Sequence, residues 1–331
     1  MRSKLFSFLI LITAGLSCRK SNYIPPLTPV TPLTPTLPDS LLNWNVVSTL
    51  SGTALSDIWF TSASKGFALG DKIYQTLDGG SSWAEVPNAS GTNHFFNLFF
   101  VNTQVGFAQG FSQMATTVDG GDSWTVKSLP TTTGYTIFFA NPSVGFFGDV
   151  GGLEKTTDAG NSWVTNFSDA GIQKNYYPYF LNSDTGFVAT GSGKCAATSD
   201  GGQTWQIRTT NLPANQIPQI YNQLFFLDRN TGFYACPTGV MKTSDGGQSW
   251  QNVLLDSVDG IAINTINVIK FVDRYNGYYK GLSAIYKSLD GGQTWSLNCK
   301  LGSDKFIGMY FLDIHTGWAC TDKGRILRIQ Q

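Results

Sequence analysis

Short segments rich in β-branched and aromatic residues alternate with turns along most of the chain, and one stretch shows the pattern clearly. Gln223–Leu227 (QLFFL), Phe233–Cys236, Val240–Thr243 and Ser249–Leu254 follow one another with only short turns of Gly, Pro, Asn and Asp between them. Runs of this composition and length, bounded by such residues, predict β-strands joined by tight turns. The stretch therefore predicts four antiparallel strands.

An octapeptide at the last of these turns recurs along the chain. TSDGGQTW at 198–205 has five near-copies, TLDGGSSW, TVDGGDSW, TTDAGNSW, TSDGGQSW and SLDGGQTW. Successive copies lie 39 to 45 residues apart, and their aspartates are Asp78, Asp119, Asp158, Asp200, Asp245 and Asp290. A period near 40–45 residues with four short strands in each repeat is typical of β-propeller blades.

A second motif, Gly followed by an aromatic residue, gives the number of blades. It occurs seven times, at Gly66, Gly106, Gly145, Gly186, Gly232, Gly277 and Gly317. The seventh repeat has three strands and ends without the octapeptide, which we call the box. A strand at about 42–48 can supply its fourth strand. Such closure removes exposed strand edges. We predict an all-β, seven-bladed propeller of four-stranded antiparallel blades over residues 41–331.

Repetition indicates that the boxes are structural. The glycines can adopt the positive φ of a tight turn, and the aspartate side chain can accept backbone N–H bonds across it. The box tryptophans begin the outer strands and can pack against the neighbouring blade. They are Trp83, Trp124, Trp163, Trp205, Trp250 and Trp295, with Trp44 as the expected seventh.

The first 40 residues have a different composition. Residues 1–17 combine Arg2 and Lys4 with an apolar run of about a dozen residues, as in a signal peptide. The run ends in LSC, which resembles the lipobox of bacterial lipoproteins with Cys18 as the lipidated residue. Residues 18–40 are rich in Pro and Thr and predict an extended tether. We expect an exported, membrane-anchored protein of the bacterial cell envelope; an ordinary signal peptide with an incidental Cys is the alternative.

Composition argues against several kinds of function. The formal net charge is zero and only 13% of residues are charged, which gives no electrostatic surface for nucleic acid. Only two histidines and two glutamates occur, and no metal-binding or nucleophile motif is present. We therefore predict no catalytic residues, no metal and no cofactor, with membrane contact only through the anchor.

The boxes fit the Asp-box or BNR pattern, Ser/Thr-x-Asp-x-Gly-x-Ser/Thr-Trp, which sialidases and some glucanases share. Combined with the Gly-aromatic motif and aromatic inner strands, the pattern more closely resembles the photosystem II stability/assembly factor propellers. That resemblance covers about residues 41–331 and implies a non-enzymatic scaffold that binds another protein. The sequence departs from the pattern at Ala159, and it has only five arginines after the tether. The photosynthetic role is therefore not carried over.

Three connections between blades are long, and all follow outer strands: 168–177, 208–222 and 255–266. They are expected on the face opposite the boxes, where loop variation can carry binding. Aromatic and Arg side chains commonly anchor interfaces. The candidate partner-binding residues are Lys174, Tyr176, Tyr177, Arg208 and Tyr221.

Glycan binding or cleavage is the alternative function. A glycosidase requires two placed carboxylates, and Asp149 and Glu154 are the candidates outside the repeated turns.

Four cysteines besides Cys18 remain open to two interpretations. Cys195 with Cys236 and Cys299 with Cys320 lie in neighbouring blades and could form disulfides in an exported protein. Alternatively, all four are small buried apolar residues.

Overall fold

Seven four-stranded antiparallel sheets make up the fold, as the repeats predict. The computed structural model describes residues 44–87, 94–131, 136–149, 151–168, 176–190, 193–209, 223–236, 239–255 and 268–329. The predicted signal peptide (1–17) and tether (18–40) lie outside the described residues. Within the described residues, no helix is long and apolar enough to cross a membrane.

The strands are numbered in chain order, and each blade contributes four. The inner strands are β2 (Asp57–Phe60), β6 (Phe95–Phe100), β10 (Thr136–Phe139), β14 (Tyr176–Phe180), β18 (Gln223–Phe226), β22 (Val268–Phe271) and β26 (Phe306–Phe311). The second strands are β3 (Gly66–Leu69), β7 (Gly106–Gly110), β11 (Gly145–Gly148), β15 (Gly186–Thr190), β19 (Gly232–Cys236), β23 (Gly277–Lys280) and β27 (Gly317–Thr321). Every second strand thus begins at the glycine of a Gly-aromatic motif.

The third strands carry the first box residue at their ends in six of the blades. They are β4 (Ile73–Thr76), β8 (Gln113–Thr117), β12 (Leu153–Thr156), β16 (Cys195–Thr198), β20 (Gly239–Thr243), β24 (Ala284–Ser288) and β28 (Arg325–Ile329). The outer strands are β5 (Ala84–Glu85), β9 (Thr125–Ser128), β13 (Val164–Phe167), β17 (Gln206–Thr209), β21 (Gln251–Leu255), β25 (Ser296–Lys300) and β1 (Trp44–Thr49).

The N-terminal strand closes the ring, which confirms the prediction. β1 pairs antiparallel with β28, from Trp44 opposite Ile329 to Thr49 opposite Arg325. The seventh sheet therefore has the strand order β1-β28-β27-β26. Of the predicted strand at about 42–48, residues 42 and 43 lie outside the described residues.

Stacked aromatic rings join each blade to the next. The last Phe of an inner strand lies face to face with the Gly-aromatic ring of the preceding blade, with ring centroids 3.5–5.1 Å apart and interplanar angles of 3–21°. The same Phe receives the edge of its own blade's outer tryptophan at 5.8–6.2 Å and 75–89°. Trp44 makes this contact with Phe311 in the seventh blade. Each blade interface therefore contains one three-ring unit.

The glycine of the Gly-aromatic motif is required by this packing. At all seven positions a Cβ would lie no more than 2.6 Å from the ring of the inner-strand Phe, for example Gly66 against Phe60 and Gly186 against Phe180. Real Cβ atoms do not approach other atoms so closely. The buried apolar residues form seven clusters, each shared by two adjacent blades.

Each box is a hydrogen-bonded turn with the same internal contacts. In the fourth blade Thr198 Oγ1 donates to Asp200 Oδ1 (2.7 Å) and accepts the Gly202 N–H (2.9 Å). Asp200 Oδ1 also accepts the Thr204 N–H at 2.9 Å, and Oδ2 accepts the Thr204 hydroxyl at 2.6 Å. The other five boxes repeat these bonds. The box aspartates therefore brace turns, as the sequence predicts.

Ala159 occupies a position that glycine fills in the other five boxes. Its φ is 60°, while the corresponding glycines, Gly79 and Gly201 among them, have φ of 70° or more. An L-residue tolerates this left-handed backbone at some cost. The turn thus keeps its geometry with alanine.

The disulfide interpretation of the cysteines is wrong for both suggested pairs. Cys195, Cys299 and Cys320 are free and buried. Cys299 packs in the cluster between the sixth and seventh blades, whereas Cys320 packs between the seventh and the first. These three side chains act as small apolar core residues. The side chain of Cys236 lies outside the described residues.

We predict that Gly186→Ala destabilises the fold by about 1–3 kcal/mol, the usual cost of overpacking a tight contact. The added methyl would overlap the Phe180 ring, which is stacked on Phe146 and cannot withdraw freely. Chemical denaturation followed by tryptophan fluorescence measures the change. Gly151→Ala is the control, because its nearest neighbour would be Asp149 Oδ1 at 3.4 Å. Equal stability of the two variants would contradict the packing argument.

We also predict loss of stability in acid. Hydrogen bonds from the Thr204 hydroxyl and the Thr204 N–H, and then from the Thr198 hydroxyl, lower the pKa of Asp200 to about 2. The pKa of an aspartate in an unfolded chain is about 3.9. A depressed folded pKa contributes stability that is present above pH 4 and is lost as the pH falls toward 2. Melting temperatures measured from pH 5 to pH 2 should therefore fall steadily.

The matched variants are Asp200→Asn and Asp184→Asn, two aspartates of the fourth blade. The melting temperature of Asp200→Asn should be lower than that of the parent at pH 6. It should also fall less on acidification, because one titrating box carboxylate is absent. The Asp184 carbonyl accepts the Gly201 N–H, which Asn keeps, and among the described residues its side chain has no recorded bond to a box, so Asp184→Asn should follow the parent curve. If Asp200→Asn kept the full acid dependence, the box would not be the titrating group.

Candidate functional site

The five predicted binding residues do not form one exposed loop surface. Lys174 and Tyr221 lie outside the described residues. Tyr176 and Tyr177 lie in β14, and Arg208 lies in β17. The described residues therefore test the placement of three of the five.

The placement of Tyr176 and Tyr177 in an exposed connection is wrong. Their side chains are 0% and 3% exposed. Tyr176 packs against Phe167 with ring centroids 5.9 Å apart, inside the core between the third and fourth blades. Aromatic residues directly before an aromatic inner strand extend that strand, because burying them stabilises the blade interface. Tyr177 nevertheless borders the central cavity described below.

Arg208 is exposed and lines a groove between the fourth and fifth blades. The groove has a volume of about 400 Å³ and includes box residues such as Thr204 and Asp245. Arg229, exposed in the turn between β18 and β19, lines the same groove. Arg208 therefore borders the box-side turns as well as beginning the long connection. We call this site the Arg groove, after Arg208 and Arg229.

The second site is a cavity of ≈ 270 Å³ on the propeller axis. Its lining comes entirely from the inner strands β2, β6, β10, β14, β18, β22 and β26. Side chains of these strands alternate between the blade interfaces and the axis, because successive strand residues face opposite sides. We call this site the axial cavity.

One set of equivalent residues surrounds the axis, each directly before the last Phe of its inner strand. Six are aromatic, and successive rings are in contact with centroids 4.5–5.5 Å apart. We call these six the aromatic tier: Tyr310, Trp59, Phe99, Phe138, Tyr179 and Phe225. The sixth blade has Lys270 at this position, and its Nζ lies 5.6 Å from the centroid of the Trp59 ring.

Asp57 is the acidic residue of the axial cavity. Its Oδ1 accepts the Ile58 N–H and its Oδ2 the Leu98 N–H, both at 2.9 Å. Burial raises the pKa of Asp57 to about 6, although these bonds and the charges of Lys270 and Lys280 oppose the rise. A Cβ on Gly308 would lie 2.9 Å from Asp57 Oδ1. Asp57 thus joins the first two blades and fits against the seventh.

Lys280 is a buried cation near the axis, and it has a structural partner. Its Nζ donates to the Phe306 carbonyl at 2.8 Å, which ties the sixth blade to the seventh. Burial lowers the pKa of Lys280 to about 7. Burial also lowers the pKa of Lys270, against the attraction of Asp57.

Sequence reasoning missed Asp57, Lys270 and the aromatic tier. The available signal was an alignment of the seven inner strands on their final Phe. Five rings stand at the preceding position beside Trp59, and Lys270 is the exception. The turn motifs predict the number of blades, but they do not include this position of the inner strands.

The two carboxylates considered for glycosidase chemistry have local partners. Asp149 Oδ1 accepts the N–H groups of Gly151 and Gly152 at 2.6 and 2.8 Å. Glu154 accepts the Thr165 hydroxyl at 3.0 Å, and burial raises its pKa. Neither residue lines the Arg groove or the axial cavity. In the part of the chain that is described, no three His, Cys, Asp or Glu side chains are placed to share a metal ion.

Comparison with solved structures shows a shared propeller fold. The chain is similar to a structure titled "YCF48 bound to D1 peptide" (TM-score 0.65, 18% identity, 87% of this chain and 95% of that one). It is also similar to YCF48 from Cyanidioschyzon merolae (TM-score 0.61, 17% identity, 87% and 98%). A Niastella koreensis GH74 enzyme matches with a TM-score of 0.64 at 14% identity, over 86% of this chain and 53% of that one. Identities this low establish the fold alone.

Comparison at the level of sequence families is more specific. None of the curated proteins compared with the chain matches it. The family described as photosynthesis system II assembly factor YCF48 matches residues 38–176 and 172–261, which is more than half of the chain. The repeated boxes, the Gly-aromatic motif and the seven closed blades agree with that match. The chain therefore belongs to the YCF48-like family of photosystem II assembly factor propellers.

Proposed function

We propose that this chain is an exported, lipid-anchored scaffold that binds a protein partner and catalyses no reaction. The observation that carries the proposal is the Arg groove. Arg208 and Arg229 are exposed in one groove, and neither forms an ion pair with any described residue. A family member has been solved with a peptide bound, which supports a protein ligand.

The chemistry of the groove favours an acidic segment of the partner. Guanidinium groups form paired hydrogen bonds with carboxylates, and Arg is enriched among residues that dominate binding energy. Side-chain amides beside them, such as those of Asn230 and Gln206, can bond a peptide backbone. We therefore propose that carboxylates of the partner contact Arg208 and Arg229.

The long connection after β17 extends this surface in our proposal. Arg208, in β17, is also the first residue of the predicted 208–222 connection. Lys174 and Tyr221 remain candidate contacts on that face. The partner would then contact both the Arg groove and the 208–222 connection.

The N-terminal segment would set the location. In this proposal residues 1–17 are removed on export, Cys18 carries the lipid, and the Pro- and Thr-rich residues 18–40 form the tether. The twenty residues 21–40 would span about 60 Å if extended, at about 3.1 Å each. The propeller would therefore reach a partner well away from the surface of the bacterial membrane.

We expect Arg208→Glu and Arg229→Glu to abolish partner capture, because each places a carboxylate where a guanidinium binds one. The measurement is crosslinking in native envelope membranes, followed by pull-down and quantitative mass spectrometry. Arg274→Glu is the matched control, since Arg274 is exposed at the equivalent turn of the next blade and does not line the groove. Its captured proteins should match those of the parent chain.

Two other results of this experiment are informative. Loss of the partner on shortening 210–221, with capture intact in both groove variants, would place binding on the loop face instead. A partner set that none of these changes alters would overturn the proposed binding function.

We expect Cys18→Ser to release the propeller from the membrane fraction into the soluble fraction. The serine hydroxyl cannot form the thioether that holds the lipid. Cell fractionation and mobility of the mature chain on gels measure the change, with Ser17→Ala, adjacent to Cys18, as the control. Membrane attachment that persists in Cys18→Ser would contradict a lipid anchor at this residue.

A further inference from the structure

The axial cavity contains one departure from the sevenfold repeat. Six blades place an aromatic ring at the tier position, and the sixth blade places Lys270 there. The six rings show that an aromatic side chain is compatible with this position in the fold. A cation is the more costly choice, because burial disfavours its charged form. Packing therefore does not explain Lys270.

Lys270 has unused hydrogen-bonding capacity. Its ammonium carries three donors, and its Nζ lies over the face of Trp59, 5.6 Å from the ring centroid. Among the described residues, no ion pair involves the Lys270 ammonium. A cation held over a ring inside a cavity is available to an anion.

Asp57 is not the anion that binds the Lys270 ammonium. No ion pair joins them in the described structure, and both carboxylate oxygens accept backbone N–H groups. Its charge still acts on the cavity and lowers the attraction for anions. The cavity therefore favours a ligand with a single negative charge over one with two.

The aromatic tier and the cavity volume limit the rest of the ligand. Rings and edges surround the space from several sides, which suits a flat aromatic group packed in offset or edge contacts. The volume, ≈ 270 Å³, is slightly below the roughly 300 Å³ at which typical ligand pockets begin. Room therefore exists for one ring with a short side chain.

We propose that the axial cavity binds a small aromatic monocarboxylate, with its carboxylate on the Lys270 ammonium and its ring within the aromatic tier. This site is separate from the Arg groove, and the proposal does not rest on partner binding. It adds a ligand site on the axis to the proposed scaffold.

Phenylacetate is the probe, and isothermal titration calorimetry with saturation-transfer NMR is the measurement. We expect one saturable site in the parent protein, with weaker binding of phenylacetamide, phenethylammonium and acetate, which lack the charge, reverse it or lack the ring. Lys270→Met should weaken phenylacetate binding about 10- to 100-fold, as loss of a charge-assisted hydrogen bond does. Lys270→Arg keeps the cation and should retain binding.

Lys305→Met is the matched control, because it removes one exposed positive charge outside the cavity. Its affinity for phenylacetate should equal that of the parent. Lys270→Met should melt at or above the parent temperature, since a partly buried cation without an ion-pair partner among the described residues is removed. A melt of this kind would show that lost binding is not lost folding.

Several outcomes would overturn the proposal. They are no saturable phenylacetate binding to the parent protein, equal binding by a folded Lys270→Met variant, or preference for phenethylammonium over phenylacetate. The last result would mean that Asp57 rather than Lys270 selects the ligand. None of these results bears on partner capture by the Arg groove, so the two proposals fail separately.

Discussion

The three-ring unit at each blade interface is the contact on which the rest of the structure depends. An inner-strand Phe is covered on its face by the aromatic ring of the preceding blade and on its edge by the tryptophan of its own blade. Large aromatic side chains bury the most apolar area per residue, and stacked and edge contacts add to that stabilisation. The same unit occurs seven times, so the interfaces between blades are nearly equivalent. The core of the protein is consequently divided among seven interfaces.

Several sequence features follow from this unit. Glycine precedes the stacked ring because the neighbouring Phe occupies the space of a Cβ. The box turn holds the tryptophan at the start of the outer strand, since Asp200 and its equivalents fix the turn that comes directly before it. Trp44 completes the set only when β1 joins the last blade. Closing the ring therefore supplies both a strand and a ring to the seventh interface.

Repetition also separates structural residues from candidates for function. A residue that recurs in every blade is explained by the blade, whereas a departure needs a local reason. Lys270 departs from the aromatic tier, and Arg208 and Arg229 lie in a groove between two blades and form no ion pair with a described residue. These sites depend on which blades are neighbours and which side chains face the axis. Site chemistry is added to the propeller and is not implied by the fold.

The sequence by itself determined the all-β class, the seven blades, the closure by the N-terminal strand and the bracing role of the box aspartates. These features are local or strictly periodic, because turn residues and strand composition act over a few positions and the repeat multiplies the signal. Only the tertiary structure decided the burial of Tyr176 and Tyr177, the free state of Cys195, Cys299 and Cys320, and the convergence of Asp57 and Lys270 on the axis. Each of these depends on contacts between residues far apart in the chain. Burial and proximity across blades are set by the closed ring, and no single repeat contains that information.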